Sequence, residues 1–186
     1  MIEAGPRVLV PGLANLAPGV ERYRIRGGAV TALLLSAGDS LEINDPEGCQ
    51  PVEVTAFDRE GQSDPGLLGV QTGSPAAGIV GILHGGGEGA RRVADALAEQ
   101  SVDISAARAI HGFGPDSPAG ETLRLTAQAN LVCVIGTPGA KMLAHEQNPP
   151  TDVVAWVTRS SAIPEGVQVL PDPLVNGFQR FETVSF

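Results

Sequence analysis

A few stretches of this chain carry residue types that do chemistry. Gly38-Asp39-Ser40-Leu41 has the form of a serine-nucleophile block. Such a serine needs a histidine base and an acid beside it, supplied by a late Asp-x-x-His block, and none occurs here. His84-Gly85-Gly86-Gly87 could line an oxyanion hole, but no Gly-x-Ser-x-Gly elbow follows. It could also cradle an anion, since it enters a helix. It has no Gly-Lys-Ser/Thr, no βαβ succession frames it, and a helix-entry loop accounts for it. His84, His111 and His145 are far apart, and no CxxC, HxH or HExxH spacing exists, so the spacing gives no metal site. Cys49 and Cys133 read as small buried hydrophobes in a reducing compartment.

The elements that must position these groups are short strands. Arg22–Arg26 and Leu41–Ile43 alternate polar with apolar, and Ala29–Leu35 is a continuous apolar run. Asp45-Pro46-Glu47-Gly48 is a β-turn, and Val52–Phe57 reads as its return strand. Glu121–Thr126, Leu131–Ile135 and Val153–Val157 repeat the pattern. Between them, Leu67–Val70 reads as a short strand, Ile79–Leu83 as a short apolar strand, and Ala106–Ile110 as a helical turn or a strand. The stripe Ala90, Val93, Ala94, Leu97, Ala98 predicts one helix near 88–100.

Ala37-Gly38-Asp39-Ser40-Leu41-Glu42-Ile43 is echoed by Ala119-Gly120-Glu121-Thr122-Leu123-Arg124-Leu125. Types agree everywhere except at Glu42 against Arg124. Each copy precedes an apolar strand, which predicts two equivalent β-hairpins on opposite sides of a barrel or sandwich.

The predicted fold class is mainly β, or α+β: an antiparallel β barrel or sandwich with one inserted helix. One domain of 186 residues is expected. It has an arm (1–20), a first β half (21–58), a loop and helix insertion (59–118), a second β half (119–160) and a packed tail (161–186). Phe178, Phe181 and Phe186 motivate the packing of the tail. A net charge of −9 with 4% aromatics excludes a nucleic-acid surface. No apolar run reaches membrane-spanning length, and the N-terminus lacks a basic signal-peptide region, so a cytoplasmic location without membrane contact is expected.

The stretch from Arg22-Tyr23-Arg24-Ile25 through Gly27-Gly28, Ala37–Ile43, Asp45-x-Glu47-Gly48-x-Gln50 and Ala56-Phe57-Asp58 resembles the opening of the urea carboxylase-associated family. Gly120–Ile135, Asn148-Pro149-Pro150-Thr151 and the strand through Trp156 resemble its closing part. Similar domains precede an aminomethyltransferase module, akin to the glycine-cleavage T-protein, in long bacterial chains. The family's Asn-Cys-Pro is replaced here by Gly136-Thr137-Pro138, and its Gly-His-x-Asn-Cys segment is missing. The resemblance therefore implies an accessory, non-catalytic module. Its partner would be an aminomethyltransferase module in the same or a neighbouring chain. No cofactor is expected in this domain, and folate belongs to the attached module. An alternative is a small-molecule enzyme acting on C–N bonds, as in urea and guanidine metabolism. Gln50, Asp58 and His84 would then bind an amide or amine. A homo-oligomeric ligand-binding or scaffold protein is the third reading.

Overall fold

The computed structural model describes residues 16–17, 19–139 and 150–160. Most of the expected arm, the loop carrying His145 and the expected packed tail lie outside the described residues.

Among the described residues, nine strands form two antiparallel sheets. They are β1 (Val20–Ile25), β2 (Val30–Leu35), β3 (Ser40–Asp45), β4 (Val52–Phe57), β5 (Ser74–Pro75), β6 (Arg108–Gly112), β7 (Glu121–Thr126), β8 (Leu131–Gly136) and β9 (Val153–Thr158). One sheet runs β1-β9-β3-β7 and the other β2-β8-β4-β6-β5. Two helices, α1 (Ala77–Gly85) and α2 (Glu88–Glu99), cover the outer face of the five-stranded sheet. The mainly β architecture and the helix at 88–99 agree with the sequence.

The alternation of each strand decides where its side chains go. Leu41, Ile43, Val52, Val54, Cys133, Ile135, Ala155 and Val157 fill the space between the sheets. Val30, Phe57, Ala109 and Val134 face the other way and meet Ile79, Leu83, Val93 and Leu97 of the helices. β4 is therefore buried at all six positions. The outer face of the four-stranded sheet carries Arg22 over the Trp156 ring, 5.3 Å from its centroid.

Two local expectations need correction, and a third is resolved. Ile79–Leu83 is helix α1 rather than a strand. Its first turn has no cap of its own, and two amides there are satisfied by Glu53 from β4. Leu67–Val70 is not a strand. Asp64 accepts from Gly66 N, and Pro65 opens a 3-10 turn over Pro65–Leu68. Ala106–Ile110 splits between the end of a 3-10 turn (Ile104–Ala106) and the start of β6.

The predicted hairpins are also corrected. β3 and β4 lie in different sheets, and so do β7 and β8. At Asp45–Gln50 the chain passes between sheets through two left-handed residues, Gly48 and Cys49. Buried Asp45 holds that crossing by accepting from Gly48 N and Gln50 N.

The internal echo nevertheless has a structural counterpart. The shift that carries Ala37 onto Ala119 carries Glu42 onto Arg124, and these two residues face each other across β3 and β7. A two-fold axis through that pair would make the copies equivalent. It places like residue against like at this one point, and two identical charges there would repel. The chain instead has Arg124 Nε donating to Glu42 Oε2 at 2.6 Å. The one mismatch of the echo thus sits on the axis. In the second sheet the order β2-β8-β4-β6 reads alike from both ends about the pair Thr55↔Val134. β1, β9 and β5 have no counterparts among the described residues.

Candidate functional site

Rotation about Thr55↔Val134 relates two ends of the helix-covered face. At one end Glu53 of β4 lies between Gly136 of β8 and His111 of β6. At the other end Val132 lies between Phe57 and Leu34. Glu53 thus corresponds to Val132, His111 to Leu34 and Gly136 to Phe57.

Glu53 is 6% exposed. Its Oε1 accepts from Gly78 N at 3.0 Å and its Oε2 from Ile79 N at 2.8 Å, so a carboxylate occupies the positive end of α1. Two glycines make room for this. A Cβ on Gly78 would meet Glu53 Oε1 and Pro138, and one on Gly136 would meet Ile79. His111 Nδ1 stands 3.8 Å from Glu53 Oε1, and the imidazole is 47% exposed.

Gln50 lies beyond the start of β4 at this end. It is buried, and its amide is committed. Nε2 donates to Pro138 O (3.0 Å) and Pro51 O (2.8 Å), and Oε1 accepts from Thr151 N (2.8 Å). Thr151 Oγ1 is buried with no partner among the described residues. Thr137 donates its hydroxyl to Arg26 O at 2.6 Å and accepts from Ala29 N. It pins the β1–β2 turn.

The opposite end is an open groove. Ala37, Asp58, Arg59, Glu60, Ala129 and Asn130 line a depression of about 400 Å³. An adjoining one of about 170 Å³ shares Asp58, Arg59 and Asn130, and has Leu34, Val102 and Val132 in its wall. Asp58 Oδ1 accepts from Glu60 N and Gln62 N, which fixes the carboxylate on its turn. Behind the groove, Arg159 fastens both sheets. It donates to Glu21, to Asp39 Oδ2 at 2.7 Å and to Leu34 O at 2.8 Å. Burial of Asp39 opposes its ionisation, but bonds from Ser160 N, Ser36 N and Arg159 hold its carboxyl below the usual aspartate range.

The structure does not bring the three candidate residues together. Gln50 and Asp58 flank opposite ends of β4, a strand of six residues that spans roughly 20 Å. His84 is exposed in the last turn of α1, a favourable place for an imidazole on helix-dipole grounds. Ser40 is an exposed strand residue. Burial pushes the Cys133 thiol up to about 12, so it stays protonated and inert at neutral pH. Among the described residues, no three His, Cys, Asp or Glu side chains converge as a metal-holding group. None of their helices is long and apolar enough to cross a membrane.

Glu53 and His111 were not singled out as a pair in the sequence. Val52-Glu53-Val54 alternates like a strand with one wet face. The roof over Glu53 comes from α1, some 25 residues later, and no local signal announces it.

No family model matches this chain. Among curated proteins it is similar to the trimethylamine-oxide aldolase of Ruegeria pomeroyi. The two are 31% identical over 169 residues, covering 91% of this chain and 21% of that protein. The chain thus spans about a fifth of the length of the curated relative it matches. Among solved structures it is similar to a DUF1989 family protein from Silicibacter pomeroyi. There the identity is 15% and the TM-score 0.43, over 88% of this chain and 86% of the other.

Proposed function

We propose that this chain acts as one domain of a longer enzyme working on a small methylated amine oxide. The observation that carries the reading is the 31% identity over 91% of the chain to a trimethylamine-oxide aldolase about four times as long. Four-fifths of that relative lies outside the match, which leaves room for a separate catalytic module. An aminomethyltransferase-like module, with its folate, is the arrangement that the sequence resemblance implies. In this reading the domain is accessory to the principal bond-breaking step.

A domain exchange tests it. This chain replaces the matched segment of the Ruegeria pomeroyi protein, and consumption of trimethylamine oxide is followed. The chimera should keep a readily measurable rate, deletion of the segment should abolish it, and the chain alone should leave trimethylamine oxide intact. A folded but inactive chimera would overturn the proposal. Turnover by the chain alone would move the chemistry into this domain.

One observation favours a second reading, direct contact with a small amine-type ligand. Asp58 presents a fixed carboxylate beside the apolar Leu34 and Val132. Substitution Asp58→Asn should then weaken trimethylamine oxide binding measured by calorimetry. Unchanged heats would remove this reading.

A further inference from the structure

Capping of α1 explains why an acid stands at position 53. It does not explain His111, which makes no bond to the helix amides and lies on the neighbouring strand with its Nδ1 toward the same carboxylate. The internal duplication shows what the fold asks of this position. The rotated counterparts, Val132 and Leu34, are both apolar, and the strands there keep the same register. An imidazole against a buried carboxylate is thus an addition made at one end only.

We propose that Glu53 and His111 form a proton-transfer site for a small molecule bearing an N–H or O–H group. Glu53 is the positioning residue. Its Oε1 faces Nδ1, so the neutral imidazole carries its hydrogen on Nδ1 and leaves the Nε2 lone pair free. The substrate proton passes to Nε2, and its bonding electrons remain on the substrate nitrogen or oxygen. The buried carboxylate offsets the positive charge that develops on the ring, and the proton returns to product or water. At 3.8 Å the two groups stand just outside hydrogen-bonding range, and a small rotation of the half-exposed ring, open to the free chain, closes that gap. The inference goes beyond the domain assignment above and does not require trimethylamine oxide to be the substrate.

Nitrogen-15 spectra of the labelled chain test it without any substitution. The neutral form of His111 should carry its hydrogen on Nδ1, whereas His84, exposed on α1, should show the Nε2–H form preferred by free imidazole. Diethyl pyrocarbonate is a second probe. It should acylate His111 about tenfold faster than His84, and Glu53→Gln should remove most of that difference. An Nε2–H tautomer at His111, or equal acylation of the two histidines, would overturn the proposal. Both readouts are independent of the domain exchange, so failure of one inference leaves the other standing.

Discussion

The two ends of the helix-covered face start from the same backbone and finish differently. At one end the central position is Glu53, sealed under α1 and bonded to its first amides. At the other it is Val132, on the wall of an open groove. The register, the strand order and the neighbouring Thr55–Val134 pair are shared. The difference is therefore one of side chain and roof. A backbone repeat supplies equivalent positions, and the insertion between β4 and β6 decides which of them becomes polar and buried.

The most disruptive way to break this comparison is to give each end the other's residue. Glu53→Val strands two amides of α1, one buried and one part-buried, and should cost about 3 kcal/mol in urea unfolding. Val132→Glu, whose carboxylate can reach solvent in the groove, should cost about 1 kcal/mol or less. Equal costs would show that the ends are not differently built. Next is the fastening behind the groove. Asp39→Asn leaves Arg159 short of a carboxylate and should cost about 2 kcal/mol near neutral pH. The folded-state pKa of Asp39 is depressed, so its contribution is full above the ordinary value of about 3.9. It fades as pH falls through the lower folded-state value. Wild type and variant should therefore converge in stability in strong acid, and a gap that widened on acidification would contradict this sign.

Smaller effects sharpen the picture. Arg124→Glu places two acids on the pseudo-axis and should cost about 0.5–1 kcal/mol at low salt. The additional change Glu42→Arg should recover most of it in a double-mutant cycle. Arg124 is largely solvated and Glu42 partly so, and the effect should shrink in 1 M salt. The smallest change is expected for His111→Leu, which installs the residue of the opposite end. Thermal unfolding should report a difference within about 0.5 kcal/mol, since the fold does not depend on the imidazole.

Strand positions were legible because alternation and turn residues are local. Leu41–Ile43, Val52–Phe57 and Glu121–Thr126 were found at or near their final bounds, and so was α2 through its apolar stripe. Helix α1 was not legible, because Gly78 and Gly81 weaken its propensity and its cap comes from another element. The hairpins were misassigned for a related reason. A turn signal at Asp45–Gly48 reveals a change of direction but not that Gly48 and Cys49 send the chain to the other sheet. Gln50 and Asp58 stood out only through a sequence resemblance; in the structure Gln50 ties chain segments and the Asp58 carboxylate is fixed on a turn. The pairing of Glu53 with His111 spans an insertion, so only tertiary structure brings it to view.

The register of β1 carries one more consequence, for biosynthesis. Its partner is β9, from Val20↔Thr158 to Ile25↔Val153, so the first strand among the described residues bonds the last. A ribosome adding about 5–20 residues each second needs on the order of ten seconds to make the chain between them. Until then Arg22, Tyr23 and Arg24 wait without the strand that pairs with them among the described residues. The arginines on that strand keep the waiting edge charged and discourage its capture by another nascent chain.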